Sequence, residues 1–118
     1  MNNPLTNIVQ DWIQPSSNVI DFGCGDGSLL QELREHKQTI GYGIEIDPEG
    51  IVSCLKKNIP VIEKNIDDGI DEFSECSFDV AIMASSIQCL KEPNVALDKI
   101  LNLSDKCIVT IPNLGYWR

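Results

Sequence analysis

Between Val19 and Gly27 the sequence reads Val-Ile-Asp-Phe-Gly-Cys-Gly-Asp-Gly, three alternate glycines directly behind a short apolar run. Glycine has no Cβ, so Gly23, Gly25 and Gly27 would let the backbone approach a ligand closely and point its N–H groups inward. Asp21 and Cys24 lie in the same stretch and count with it as candidate ligand contacts. Eighteen residues past Gly27 stands Glu45, whose carboxylate can accept hydrogen bonds from both hydroxyls of a ribose and so excludes a 2′-phosphorylated one. A nucleotide-like cofactor is the natural occupant. A purely structural turn would also use these glycines; the combination of strand, glycine turn, helix, strand and acid speaks for the ligand.

The dinucleotide fingerprint is G-x-G-x-x-G/A, whereas here the glycines run G-x-G-x-G and Ser28 takes the sixth position. Asp21 and Asp26 also bring negative charge beside the turn, which suits a cation better than a pyrophosphate. S-adenosylmethionine carries a sulfonium and an ammonium and no phosphate, so it fits this site better than NAD.

Groups of this kind need elements to hold them. Leu5, Ile8, Val9, Trp12 and Ile13 recur at helical spacing, giving an amphipathic helix that ends before Pro15. Residues 19–22 form a first strand that stops at the glycines, Leu29, Leu30 and Leu33 stripe a helix through about Lys37, and residues 40–46 return as a second strand. Asp47-Pro48 has the form of an N-cap with proline at the first helical position, opening a helix that carries Ile51, Val52 and Leu55. A third strand is predicted at 59–63, an acidic turn at 65–69, and a fourth strand at 78–83, apolar enough for the centre of a parallel sheet. A helix over 93–102 and a fifth strand over 107–111 follow. The alternation predicts an α/β fold, a doubly wound parallel sheet with helices on both faces, as a single domain over residues 1–118. Such sheets bind ligands where strand order reverses, at the carboxyl ends of the strands.

Length and charge narrow the function classes. A chain of 118 residues suits one core, and 42% hydrophobic with 23% charged residues is ordinary globular usage. Nine basic against eighteen acidic residues, a formal charge of -9, argue against a nucleic-acid surface. No apolar run approaches the ~20 residues that span a bilayer, and the opening residues lack a secretory signal, so a cytoplasmic protein without membrane contact is expected. The cysteines at 24, 54, 76, 89 and 107 are odd in number and form no C-x-x-C pair. They read as reduced core thiols, with neither a disulfide frame nor a metal site.

The stretches VIDFGCGDGSLL, GYGIEIDPEGIVSCL, NIDDGIDEFSECSFDVAIM, QCLKEPNVAL and IVTIPNLGYWR cover most of the chain from Val19 onward. On them the sequence resembles the class I (Rossmann-like) S-adenosylmethionine-dependent methyltransferases and, more narrowly, the MetW family of methionine biosynthesis proteins. The glycine turn marks the superfamily, while G-Y-G-I-E-I-D-P and the P-N-x-G-x-W-R ending point to MetW; Tyr116 stands where that family leads one to expect histidine. The resemblance implies that Gly23, Gly25 and Gly27 line the methionine moiety, that Glu45 holds the ribose and that Ile46 packs on adenine. It further implies that Asp67 accepts from the adenine amino group, that Ile66 gives a backbone contact, and that Ala84 and Ser85 face the sulfonium. Ordinary core packing is the other reading of Ile46, and a solvated turn that of Asp67 and Asp68.

Catalytic groups are harder to find. Methyl transfer is an in-line displacement from a sulfonium, for which positioning can suffice. His36 reads as a surface residue, Cys89 as a packed thiol rather than a nucleophile, and Gln88 as a residue able to orient an acceptor. Two functions remain open: a cofactor-binding protein that acts with homoserine O-acyltransferase, as the resemblance implies, or a methyltransferase for an unidentified small molecule. Seven strands are usual in the resembled fold, so the chain is expected to be truncated after the fifth, and the edge of that strand to self-associate beside Tyr116 and Trp117.

Overall fold

A computed structural model describes residues 4–84 and 90–110, without the side chains of 4–7, 84 and 110; Ser85, Gln88, Cys89, Ile111, Tyr116 and Trp117 lie outside the described residues. The strands β1 (Asn18–Phe22), β2 (Ile40–Glu45), β3 (Val61–Glu63), β4 (Phe78–Ala84) and β5 (Ser104–Thr110) form one parallel sheet in the order β3-β2-β1-β4-β5. The helices are α1 (Pro4–Asp11), α2 (Ser28–Lys37), α3 (Pro48–Lys56), α4 (Ile66–Glu72) and α5 (Pro93–Leu103). Successive side chains of a strand point to opposite faces. Val19, Val80 and Ile82 therefore pack on one side with Val9, Leu30, Leu33 and Cys54 of the first three helices. Ile20, Phe22, Ala81 and Met83 pack on the other with Ile70, Ala96, Ile100 and Leu103 of α4 and α5. This is the expected doubly wound sheet. The chain builds β2 and β3 on one side of β1 before crossing to β4, so strand order reverses between β1 and β4, at the ends that lead into the glycines and Ala84.

The acidic stretch at 65–69 is a helix start, not a turn. Asn65 Oδ1 accepts from the Asp68 N–H (2.8 Å), Asp67 and Asp68 occupy the first turn where carboxylates favour the helix dipole, and Ile70 anchors α4 in the core. A Cβ at Gly69 would lie 2.9 Å from Ile44 Cγ2, so α4 reaches β2 only because this position is glycine. Gly69→Ala should therefore lower the unfolding free energy by about 1–2 kcal/mol despite alanine's better helix propensity, seen as a lower urea midpoint at unchanged slope.

Two strand boundaries also differ from expectation. β3 begins at Val61, because the Ile59 N–H finishes α3 by donating to Cys54 O (2.9 Å). β5 begins at Ser104, where α5 passes directly into the strand and Ser104 and Lys106 pair with Phe78 and Val80. Among the described residues β5 is one edge of the sheet and β3 the other. β5 opens with the polar residues Ser104, Asp105 and Lys106, and the Lys106 ammonium donates to Trp12 O (2.8 Å), holding the chain after α1 against it. Val109 packs against the α5 side of the core, so the pleat directs it to a face of the sheet and not off its edge.

Candidate functional site

Gly23, Gly25 and Gly27 all adopt positive φ (90°, 59° and 82°), the left-handed region that glycine occupies without a Cβ penalty. What each would meet with a side chain differs. A Cβ at Gly27 would be 2.9 Å from Cys54 Sγ, whereas one at Gly25 meets nothing within 4 Å. Gly25 thus faces open space, and its want of a side chain answers to the backbone conformation and to whatever enters that space, not to protein packing.

The N–H groups of the turn do not all point inward, as the sequence suggested. Those of Gly23 and Cys24 donate to Ile44 O (2.8 and 3.1 Å), that of Gly27 to Cys24 O (3.1 Å), and that of Gly25 to Glu45 Oε1 (2.7 Å). A cradle for phosphate needs such donors free. With these four engaged by the protein itself, the turn offers shape and carbonyls in place of an anion hole.

Glu45 ends β2 as predicted, and its carboxylate is busier than predicted. Besides the Gly25 N–H, it accepts through Oε2 from the N–H groups of Ile46 (3.1 Å) and Asp47 (3.0 Å). A carboxylate has about four acceptor positions, so holding both hydroxyls of a ribose requires one of these donors to give way. Asp47, at the N-cap position of α3, makes no side-chain cap bond.

The two acids beside the turn have different fates. Asp26 turns away: Oδ1 accepts from the Ser28 N–H at the start of α2 (2.9 Å), and Lys57 pairs with Oδ2 (3.6 Å) and donates to the Asp26 carbonyl (2.8 Å). The Ser28 bonds first, and Lys57 after them, hold this carboxyl below the ordinary range. Asp21, at 2% exposure the most buried acid described, has no cation beside it, and its Oδ1 lacks a hydrogen-bond partner among the described residues. Burial first, and the charge of Glu45 second, push its carboxyl up to about 7. An orphaned buried carboxylate oxygen beside a second carboxylate is an incomplete arrangement that a cation completes.

The remaining predicted residues follow the topology. Ile46 is 57% exposed just past β2, so the core-packing alternative does not hold and an apolar surface is left open. Ile66 and Asp67 are half-buried in the first turn of α4, after β3, and Ala84 ends β4 beside β1. Asp67 lines a groove of about 340 Å³ between α4 and α5, and Gly25 a smaller cleft of about 220 Å³ against Gly50 and Ser53 of α3. His36 is exposed in the last turn of α2, at the opposite end of the sheet. Sequence reasoning missed Gly50 and Cys54, buried in α3 against the turn: a Cβ on Gly50 would be 2.7 Å from Gly25 O. The available signal was a glycine in the first turn of a helix, where propensity disfavours it.

The sequence profile of the family described as methionine biosynthesis protein MetW matches residues 4–118. The chain belongs to the MetW family. A curated relative from Rhodopirellula baltica, the bifunctional methionine biosynthesis protein MetXA/MetW, is 28% identical over 112 residues; the match takes in 88% of this chain and 18% of that protein. Among solved structures, the TehB-like SAM-dependent methyltransferase from Corynebacterium glutamicum superposes with a TM-score of 0.74 at 19% identity, covering 96% of this chain and 64% of that one. A SAM-dependent methyltransferase from Thiobacillus denitrificans, in complex with S-adenosyl-L-homocysteine, gives 0.72 at 14% identity, covering 86% and 44%. This MetW-family chain therefore shares the Rossmann-like methyltransferase fold and spans less than two thirds of the length of each of these proteins. Among the described residues no helix is long and apolar enough to cross a membrane.

Proposed function

We propose that this MetW-family chain binds S-adenosylmethionine at the carboxyl edge of its sheet and serves methionine biosynthesis by acting with homoserine O-acyltransferase. The observation that carries the cofactor reading is Asp21: a buried carboxylate oxygen without a partner among the described residues, beside a glycine turn that offers open space and engaged N–H groups. These residues fit a cationic, phosphate-free nucleoside. When bound, the cofactor supplies an electrophilic methyl group on a sulfonium. Asp21 lends the negative charge that favours its cationic end, and the bare Gly25 admits the methionine chain. Glu45 accepts from the ribose, Ile46 covers adenine, and Asp67 with Ile66 meets the adenine edge. Ala84, which ends β4, and Ser85, next in sequence, are the candidates for the sulfonium side. The covalent joining of MetXA and MetW in the Rhodopirellula baltica protein supports a partner within the same biosynthesis.

The alternative is a methyltransferase acting on a small molecule, a reading supported by the descriptions of the solved neighbours. Transfer from methyl-labelled cofactor, with homoserine, its acyl esters and the acyltransferase offered in turn, separates the two. A complex with the acyltransferase in sedimentation, without label transfer, favours the first; transfer to a small molecule without a complex favours the second.

Glu45→Ala should weaken S-adenosylmethionine binding by about 1–3 kcal/mol in titration calorimetry, the cost of a charge-assisted bond. Glu45→Gln, which keeps an acceptor for the Gly25 N–H, should lose less. Unchanged affinity in Glu45→Ala would remove this residue from the site.

A further inference from the structure

Beneath the glycine turn two thiols face each other. Cys24 Sγ of the turn and Cys54 Sγ of α3 are 3.7 Å apart, and both lie against the same carbonyl, Gly25 O, at 3.8 and 3.4 Å. Cys54 is fully buried and Cys24 is 8% exposed. Cys76 is exposed and Cys107 half-buried on β5. We propose that Cys24 and Cys54 form a reversible disulfide under peroxide, and that this bond displaces the glycine turn and weakens the cofactor site. The second half of this inference rests on the cofactor reading above.

The bond forms in two balanced steps. The Cys24 thiolate attacks one oxygen of hydrogen peroxide; the O–O bond breaks, hydroxide leaves, and Cys24 becomes a sulfenic acid. Cys54 sulfur, losing its proton, then attacks the sulfenic sulfur; the S–O bond breaks and water departs as the S–S bond forms. Two thiols give up two electrons, and one peroxide ends as two waters. Burial, with the charge of Asp21 next in weight, keeps Cys24 protonated well above the ordinary thiol range, and burial raises Cys54 as well. The first step is consequently slow at neutral pH and quickens as pH rises, which suits sustained oxidation and not a brief pulse.

Mechanical consequence follows from the packing. A disulfide bond is about 2.0 Å long, so the sulfurs must approach by about 1.7 Å. The turn and α3 approach closely there, because Gly50 and Gly27 lack the Cβ that would lie 2.7 Å from Gly25 O at the one and 2.9 Å from Cys54 Sγ at the other. Drawing Cys24 toward α3 pulls on the backbone of 24–27, where the Gly25 N–H is held by Glu45 Oε1 (2.7 Å). The residues that frame the cofactor thereby lose their register with the end of β2.

The test uses the reduced full chain with and without hydrogen peroxide. Remaining thiols are alkylated, the protein is digested, and disulfide peptides are identified by mass spectrometry, while S-adenosylmethionine affinity is measured by calorimetry on the same samples. The expected result is a Cys24–Cys54 peptide as the main disulfide and an affinity at least tenfold lower, both reversed by dithiothreitol. Cys54→Ser keeps a donor to Gly25 O and, whatever its starting affinity, should show the same value with and without peroxide; the dithiothreitol reversal makes the comparison on the unmutated chain. Cys24 halting at sulfenic or sulfinic acid without a cross-link overturns the proposal, and so does a cross-link that leaves affinity unchanged. A reduced chain that fails to bind the cofactor instead strikes the functional reading, while the peptide assay still decides whether the disulfide forms.

Discussion

Gly50→Val should nearly abolish S-adenosylmethionine binding although residue 50 need not touch the ligand. Its Cβ would sit 2.7 Å from Gly25 O, 3.1 Å from Gly25 C and 3.3 Å from Glu45 Cγ. The first two are backbone atoms of a turn already fixed by four hydrogen bonds, so relief has to come from moving the turn or the start of α3. Either movement separates Gly25 from Glu45, the pair that joins the glycine turn to the end of β2. Overpacking of this kind costs about 1–3 kcal/mol of stability, and the affinity loss should reach about a hundredfold because a misplaced turn disturbs every contact it frames. Gly50→Ala is the companion: alanine regains about 1 kcal/mol of helix propensity, so its stability should change little while its affinity still falls. Urea unfolding and calorimetry on both variants give the two readings, and a folded Gly50→Val protein with parental affinity would show that α3 does not set the turn.

Asp21→Asn should make the protein more stable and less able to bind. In the folded chain the Asp21 carboxyl is pushed up to about 7, chiefly by burial and then by Glu45, against an ordinary 3.8. A folded pKa above the unfolded one means that this group's contribution is fully present below about pH 4 and is lost as pH rises through about 7. Some three pKa units correspond to roughly 4 kcal/mol as an upper limit. Asparagine does not ionise, so Asp21→Asn should match the parent near pH 4 and exceed it by about 2–4 kcal/mol at pH 8, measured by urea unfolding at each pH. Its affinity for the cationic cofactor should drop tenfold or more at pH 8. In the parent, affinity should climb as pH passes through about 7, because the ligand prefers the ionised carboxylate. Equal binding by Asp21→Asn and the parent would separate this carboxylate from the ligand altogether.

Opposite movement of stability and binding is the mark of a group kept for function. Asp26 offers the internal comparison. It lies five residues further along, is the same residue type, and is paired with Lys57 and tied to the start of α2. Its replacement should affect the start of α2 far more than the pH dependence of the site.

Sequence alone determined the alternation of strands and helices, the place of the glycine turn and the position of Glu45, because these rest on periodicities of two and 3.6 residues and on glycine's access to positive φ, all local properties of the chain. Local patterns failed where a distant contact decided the outcome. The segment 65–69 has the composition of a turn, yet Ile70 has a core to enter and Gly69 lets α4 lie against Ile44, so it becomes a helix. The start of β5 is polar and reads as loop until Phe78 and Val80 supply its partners. Asp21 and Asp26 are indistinguishable as letters, and only the folded chain brings Lys57, thirty-one residues beyond Asp26, to one of them and leaves Oδ1 of the other without a partner among the described residues. Gly50 and Cys54 meet the glycine turn for the same reason: α3 crosses directly beneath a turn more than twenty residues earlier in sequence, and no spacing rule encodes the closeness of that approach.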